Sequence, residues 1–315
     1  MKSIANACFC LFLALSATPA LAEPPAAAPA MACVSVGKLE RLALPPSQFI
    51  EPRPVEVWLP EDYAEKARAG KRFQVLYMHD GQMLFDPSTT WNKTAWNVHE
   101  TLARLMREGK VGDTIVVGVF NISRNRFVEY FPQKFLDEMP PELRAAYLRD
   151  NLKGQPKADD YLRFLVQELK PVVDAKYATR TDAPGTFVMG SSMGGLISVY
   201  AMSEYPQVFG GAAGLSTHWP GMHKPNATVP LAAYNYLSRK LPAPQGHKLY
   251  QDHGGVGLDA LYAPYQSFVD QIVRDRGYTD ANYISKVYAQ DDHNEKAWAA
   301  RLELPLVFLL GGTRP

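Results

Sequence analysis

Seven short apolar runs punctuate the chain, at 55–59, 73–78, 114–120, 186–189, 211–215, 248–251 and 283–289, and each has the length and the β-branched or aromatic content of a strand. Between several of them lie stretches with apolar residues at helical spacing, at 97–107, 161–175, 194–204, 262–276 and 295–302. Strands alternating with helices predict an α/β domain: a mostly parallel central sheet with helices on both faces. Two segments interrupt the alternation, 121–157, rich in Pro, Arg and aromatic residues, and 216–246. In such domains long excursions at strand ends tend to serve as binding loops or lids.

The N-terminus has a different pattern. Lys2, an apolar run at 7–15 and Ala20-Leu21-Ala22 before Glu23 predict a secretory signal peptide at 1–22, too short to span a bilayer. A Pro/Ala-rich stretch, 23–34, reads as a linker, and the folded domain is expected at 35–315. Cys8 and Cys10 would leave with the signal, so Cys33 stays as a free thiol and no internal disulfide is expected. The expected location is the bacterial periplasm or the medium. A net charge of +1, without a basic face or a charge block, argues against nucleic-acid and anionic-membrane partners. No later stretch is long and apolar enough for a membrane span, so the expected partner is a small molecule or a neutral polymer such as a carbohydrate.

The strongest chemical signal lies at 186–200, TFVMGSSMGGLISVY. A strand-like run meets Gly190-Ser191-Ser192-Met193-Gly194 and a helix follows, the context in which G-x-S-x-G lifts a serine out of a strained turn. Ser192 is therefore the candidate nucleophile. It needs a base, an acid to orient the base, and donors for an oxyanion. His293 is the candidate base, on a loop between the last strand-like run and the last helix, within Gln290-Asp291-Asp292-His293-Asn294-Glu295. Adjacent Asp, Asp and His on one loop rarely converge on a single ion, so no metal is expected. The acid should follow the run at 248–251. Asp259 is preferred to Asp252, because a residue a few positions into the loop can turn back toward the histidine. The intervening His253-Gly254-Gly255-Val256-Gly257 reads as a flexible turn that positions Asp259. The oxyanion donors are expected to be the backbone N–H groups of Met193, just after the nucleophile, and of Gln82, in the turn after Gly81. Asp80 reads as a loop anchor.

These residues, with YMHDGQMLF, RNRFVEYFP, GSSMGGLISVYAMSEYPQVFG and HNEKAWAARLELPLVFLLG, resemble the putative-esterase family of α/β-hydrolases. That family includes enterochelin-esterase-like proteins, esterase D, the feruloyl and acetyl-xylan esterases of carbohydrate esterase family 1, and mycolyltransferases. The likeness covers 55–312 and implies the α/β-hydrolase fold, with Ser192 as nucleophile, His293 as base, and Gln82 and Met193 as oxyanion donors. The acid is where the chain departs: many members carry Gly-Thr followed closely by Asp or Glu, whereas Gly254-Gly255-Val256-Gly257 intervenes here before Asp259. Arg126 and Glu129 match a signature of the family and read as a structural ion pair. Trp91, Trp96, Tyr130, Phe131, His218 and Trp219 are expected on loops around the site.

The expected activity is an exported serine hydrolase that cleaves carboxylic esters, acyl-sugar, feruloyl or siderophore esters among them, with no metal or cofactor. The alternatives are an acyltransferase using the same acyl-enzyme and an inactive binding protein on the same fold.

Overall fold

The computed structural model describes residues 30–222 and 224–312. The predicted signal peptide lies outside the described residues. So does most of the predicted linker, although its Ala32 and Val34 pack against the domain core.

Among the described residues eight strands form one sheet in the order β1-β2-β4-β3-β5-β6-β7-β8. They are β1 (Lys38–Arg41), β2 (Val55–Leu59), β3 (Gln74–His79), β4 (Thr114–Val119), β5 (Thr186–Ser191), β6 (Gly211–Leu215), β7 (Lys248–Gly254) and β8 (Tyr283–Tyr288). β1 and β2 run antiparallel and the remaining six are mutually parallel. The topology is that of an α/β-hydrolase-like fold, as the alternation of apolar runs predicts.

Both faces of the sheet are covered, which explains why the central strands read as unbroken apolar runs. Strict alternation sends Val75, Tyr77, Ile115, Val117 and Val188 into one core, and Leu76, Met78, Val116, Phe187 and Met189 into another. The first is closed by helices Met193–Glu204, Thr228–Lys240 and Ala263–Asp275, the second by Val98–Arg107 and Glu303–Leu310. Each core buries large aliphatic and aromatic groups, so a charge substituted at either face would sit unpaired in an apolar interior.

Strands β3 and β5 to β8 run the same way, so their C-terminal ends, where binding crevices form in open α/β sheets, come together at one edge. Asp80 follows β3, Ser192 follows β5, Ser216 follows β6, and the loops carrying Asp259 and His293 follow β7 and β8.

Candidate active site

Ser192 stands alone between β5 and helix Met193–Glu204 with φ 57° and ψ −121°. An L-residue other than Gly costs about 1–3 kcal/mol in such a conformation and persists only where its surroundings impose it. They do so here on both sides. Ser192 N donates to Leu215 O at 2.9 Å, and Ser192 O accepts from Gly195 N at 3.0 Å and His218 N at 3.2 Å. The tight turn depends on Gly190, where a Cβ would lie 2.8 Å from the Gly194 backbone. The Met193 N–H is the first of its helix and the Gln82 N–H belongs to the 3-10 turn Gly81–Met83, so neither has an acceptor within its own turn. That second turn is fixed by Gly81 lying against Gly118 of β4, and by Gln82 Oε1 accepting from Asn121 N at 3.2 Å.

His293 Nδ1 lies 2.6 Å from Asp259 Oδ1. Asp259 is buried, and its other oxygen accepts from Ser216 Oγ at 2.5 Å and from Gly254 N at 2.7 Å. Burial alone would raise this carboxyl, but the hydrogen bonds from His293, Ser216 and Gly254 outweigh it and hold the pKa below the ordinary value. An ionised carboxylate only accepts, so Nδ1 carries a proton, and the tautomer this fixes in the neutral imidazole leaves Nε2 as the acceptor. Asp252, the alternative acid, lies within β7 and is taken by Arg301, whose Nη2 and Nε donate at 2.9 and 3.2 Å.

The glycine run between them is packed close rather than loose. A Cβ at Gly254 would sit 2.1 Å from Asp291 O, and one at Gly255 would sit 2.4 Å from Ala289 O. Gly255 N and Val256 N both donate to Asp291 O, at 3.0 and 3.2 Å. The acid loop and the histidine loop thus interlock backbone to backbone, in place of the flexible turn the composition implied.

Ser192 and His293 open onto one cleft of about 460 Å³, also lined by Asp80, Gln82, Met83, Trp91, Asn92, Trp96, Asn121, Ser123, Arg126, Ser191, Asn294, Glu295 and Trp298. Trp298 packs edge-on against His293, with ring centres 5.1 Å apart, and tilts against Trp96 at 5.8 Å. Trp91 is 81% exposed on the rim. Tyr130, Phe131 and Trp219, expected around the site, lie in the core, and His218 is buried with Nδ1 2.6 Å from Tyr262 Oη. Their apolar surface is spent on packing the excursion segments against the sheet.

Arg126 and Glu129 do not pair with each other. Arg126 donates through Nε and Nη2 to both oxygens of Asp80, at 2.9 and 2.7 Å, while Glu129 takes both Nη groups of buried Arg53 at 2.7 Å. The two residues face different partners: Arg126 meets the Asp80 carboxylate after β3, and Glu129 meets the buried Arg53 guanidinium just before β2. Asp80 is pushed up by burial and pulled down further by Arg126 and Asn121, leaving it below the ordinary carboxylate value.

Sequence reasoning missed Ser216, Arg301 and Trp298. Trp298 Nε1 and Arg301 Nη2 donate to Ser216 Oγ at 2.9 and 2.8 Å, and Ser216 Oγ in turn donates to Asp259. Ser216 has φ 46°, which nothing in a lone serine announces.

Comparison with known proteins places this architecture. A ferulic acid esterase superposes with a TM-score of 0.61 at 17% identity, covering 87% of this chain and 98% of that one. The enterobactin esterase of Shigella flexneri gives 0.64 at 16% identity, over 88% of this chain and 60% of that one. At these identities the likeness is one of fold. In sequence, the Uncharacterized protein YbbA of Bacillus subtilis (strain 168) is 20% identical over 260 residues, 82% of this chain and 92% of that protein. The siderophore enterobactin esterase of Emericella nidulans is 27% identical over 168 residues, half of each chain. Residues 47–303 match the Esterase family, described as "Putative esterase", and the chain belongs to that family of carboxylic ester hydrolases.

Proposed function

We propose that this protein is an exported serine esterase in which Ser192, His293 and Asp259 act together through an acyl-enzyme. The observation that carries the reading is the 2.6 Å contact of His293 Nδ1 with buried Asp259, made by a histidine that shares its cleft with the strained Ser192. His293 Nε2 takes the proton of Ser192 Oγ as the oxygen attacks the ester carbonyl. The tetrahedral oxyanion is received by the N–H groups of Gln82 and Met193, which are expected to contribute about 3–4 kcal/mol each. His293 then returns the proton to the departing alcohol, and a water activated by the same nitrogen releases the acid.

Ser192→Ala is expected to lower turnover of para-nitrophenyl acetate by about 10⁴- to 10⁶-fold. Parent-like turnover in that variant would refute the assignment. Acetylated xylan, feruloyl sugars and cyclic siderophore lactones form the panel for the natural ester, and the acid and alcohol released identify it. Export rests on the pattern at 1–22. Its test is the mass of the mature chain recovered from periplasm and medium, expected to begin at Glu23; an intact Met1 would refute it.

A further inference from the structure

The charges around the cleft are unevenly matched, and the imbalance bears on which esters the site accepts. Both nearby guanidinium groups are already engaged. Arg126 is clasped by the two oxygens of Asp80. Arg301, behind the histidine, serves Asp252 and Asp291 at 2.9 and 3.0 Å and lies 4.0 Å from Asp259. Glu295 is different. It lines the cleft two residues after His293, and its hydrogen bond comes from a neutral group, Asn92 Nδ2 at 2.8 Å. Among the described residues no cation lies within ion-pair distance of it, and its charge is felt across the cleft by Arg126. The remaining polar lining is neutral: Gln82, Asn92, Asn121, Ser123 and Asn294. Trp91 adds an exposed ring whose face favours cations over anions.

We propose that Glu295 is a specificity-determining residue and that the cleft selects uncharged or cationic esters over anionic ones. This rests on the esterase reading above. A cleft of about 460 Å³ is roughly 10 Å across, so a substrate charge held within it lies on the order of 10 Å or less from Glu295. In the half-wet dielectric of an open cleft, one such interaction is expected to change kcat/KM by about fivefold per unit charge. Because the cleft is open, salt should weaken the effect as the screening length shortens.

The test uses three para-nitrophenyl esters of equal chain length: hexanoate, hydrogen adipate with its terminal carboxylate, and ω-trimethylammoniohexanoate. Each kcat/KM is divided by the ester's rate with free imidazole, to remove intrinsic reactivity. At low salt the parent should prefer the cationic ester to the neutral one and the neutral to the anionic one, by about fivefold at each step. In Glu295→Gln, which keeps an acceptor for Asn92, the ratios should contract to within about twofold. A parent that hydrolyses the anionic ester as well as the neutral one, or a ratio unchanged in Glu295→Gln, overturns the proposal. Ser192→Ala run on the neutral ester separates the two failures: activity surviving there overturns the esterase assignment instead.

Discussion

Ser216→Ala puts the geometry behind the histidine under the sharpest test. The Ser216 hydroxyl has one proton and two lone pairs, and all are committed: it donates to Asp259 Oδ2 at 2.5 Å and accepts from Trp298 Nε1 and Arg301 Nη2. Removing it deletes a hydrogen bond to a buried carboxylate and leaves the indole N–H without its acceptor, while Arg301 keeps Asp252 and Asp291. A charge-assisted bond and an orphaned buried donor together cost about 3 kcal/mol. For a domain of this size that lowers the thermal midpoint by about 5 °C. Asp259 keeps only Gly254 N on that oxygen, so its carboxylate can rotate away from His293. A displacement of this kind should lower kcat by about 10- to 100-fold while KM moves little, since the groups touching substrate remain. The assay is steady-state hydrolysis of para-nitrophenyl acetate beside a thermal scan of the same protein. Trp298→Phe, which keeps the ring against His293 but loses the N–H, should show a smaller loss of the same kind. A Ser216→Ala enzyme with parent kcat and an unmoved midpoint would refute the reasoning.

Three further outcomes are expected. Asp259→Asn should lower kcat by about 10²- to 10⁴-fold because Nδ1 loses its anionic partner, whereas Asp252→Asn should act mainly on stability by freeing buried Arg301; paired kinetics and urea titrations separate them, and a larger kcat loss at Asp252 contradicts the arrangement. Gly255→Ala drives a methyl into Ala289 O and should destabilise by about 1–3 kcal/mol, read as a lower urea midpoint with reduced activity; an unchanged midpoint would mean the two loops do not interlock. Burial holds His79 near a pKa of about 4, well below the ordinary histidine value, so as pH falls the unfolded chain binds a proton there before the folded one does. Stability from this residue is whole above the unfolded pKa and falls as pH drops toward the folded one, by about 3 kcal/mol in all, and His79→Gln should flatten the urea midpoint between those pH values.

Much of this was legible in the chain because the chemistry is written in local patterns. Strands β2 and β6 coincide with their apolar runs, since a strand buried on both faces must be largely apolar whether its neighbours run parallel or antiparallel. β1 escaped notice because Lys38–Arg41 is a polar edge segment with only Leu39 in the core. Helix Thr228–Lys240 was hidden inside a stretch that opens with Pro and Gly, and 161–175 breaks into α, π and α pieces around Phe164–Leu169. Ser192, His293 and Asp259 could be named because motif, chain order and distance from a strand end point to them, and the structure brings His293 and Asp259 into contact. The partners of Arg126 and Glu129 could not be named, since Asp80 and Arg53 are 46 and 76 positions away. Ser216 and Glu295 were unreadable for a related reason: their significance lies in which groups converge on them in space.

The central claim is that Ser192 is the nucleophile of an ester hydrolase activated through His293, and the most direct measurement is covalent labelling with a fluorophosphonate followed by peptide mass mapping. The account predicts one adduct, on Ser192, formed quickly in the parent, slowed by about 10³-fold or more in His293→Ala and absent from Ser192→Ala. An adduct on any other residue, or no adduct in a protein that still hydrolyses esters, would contradict it.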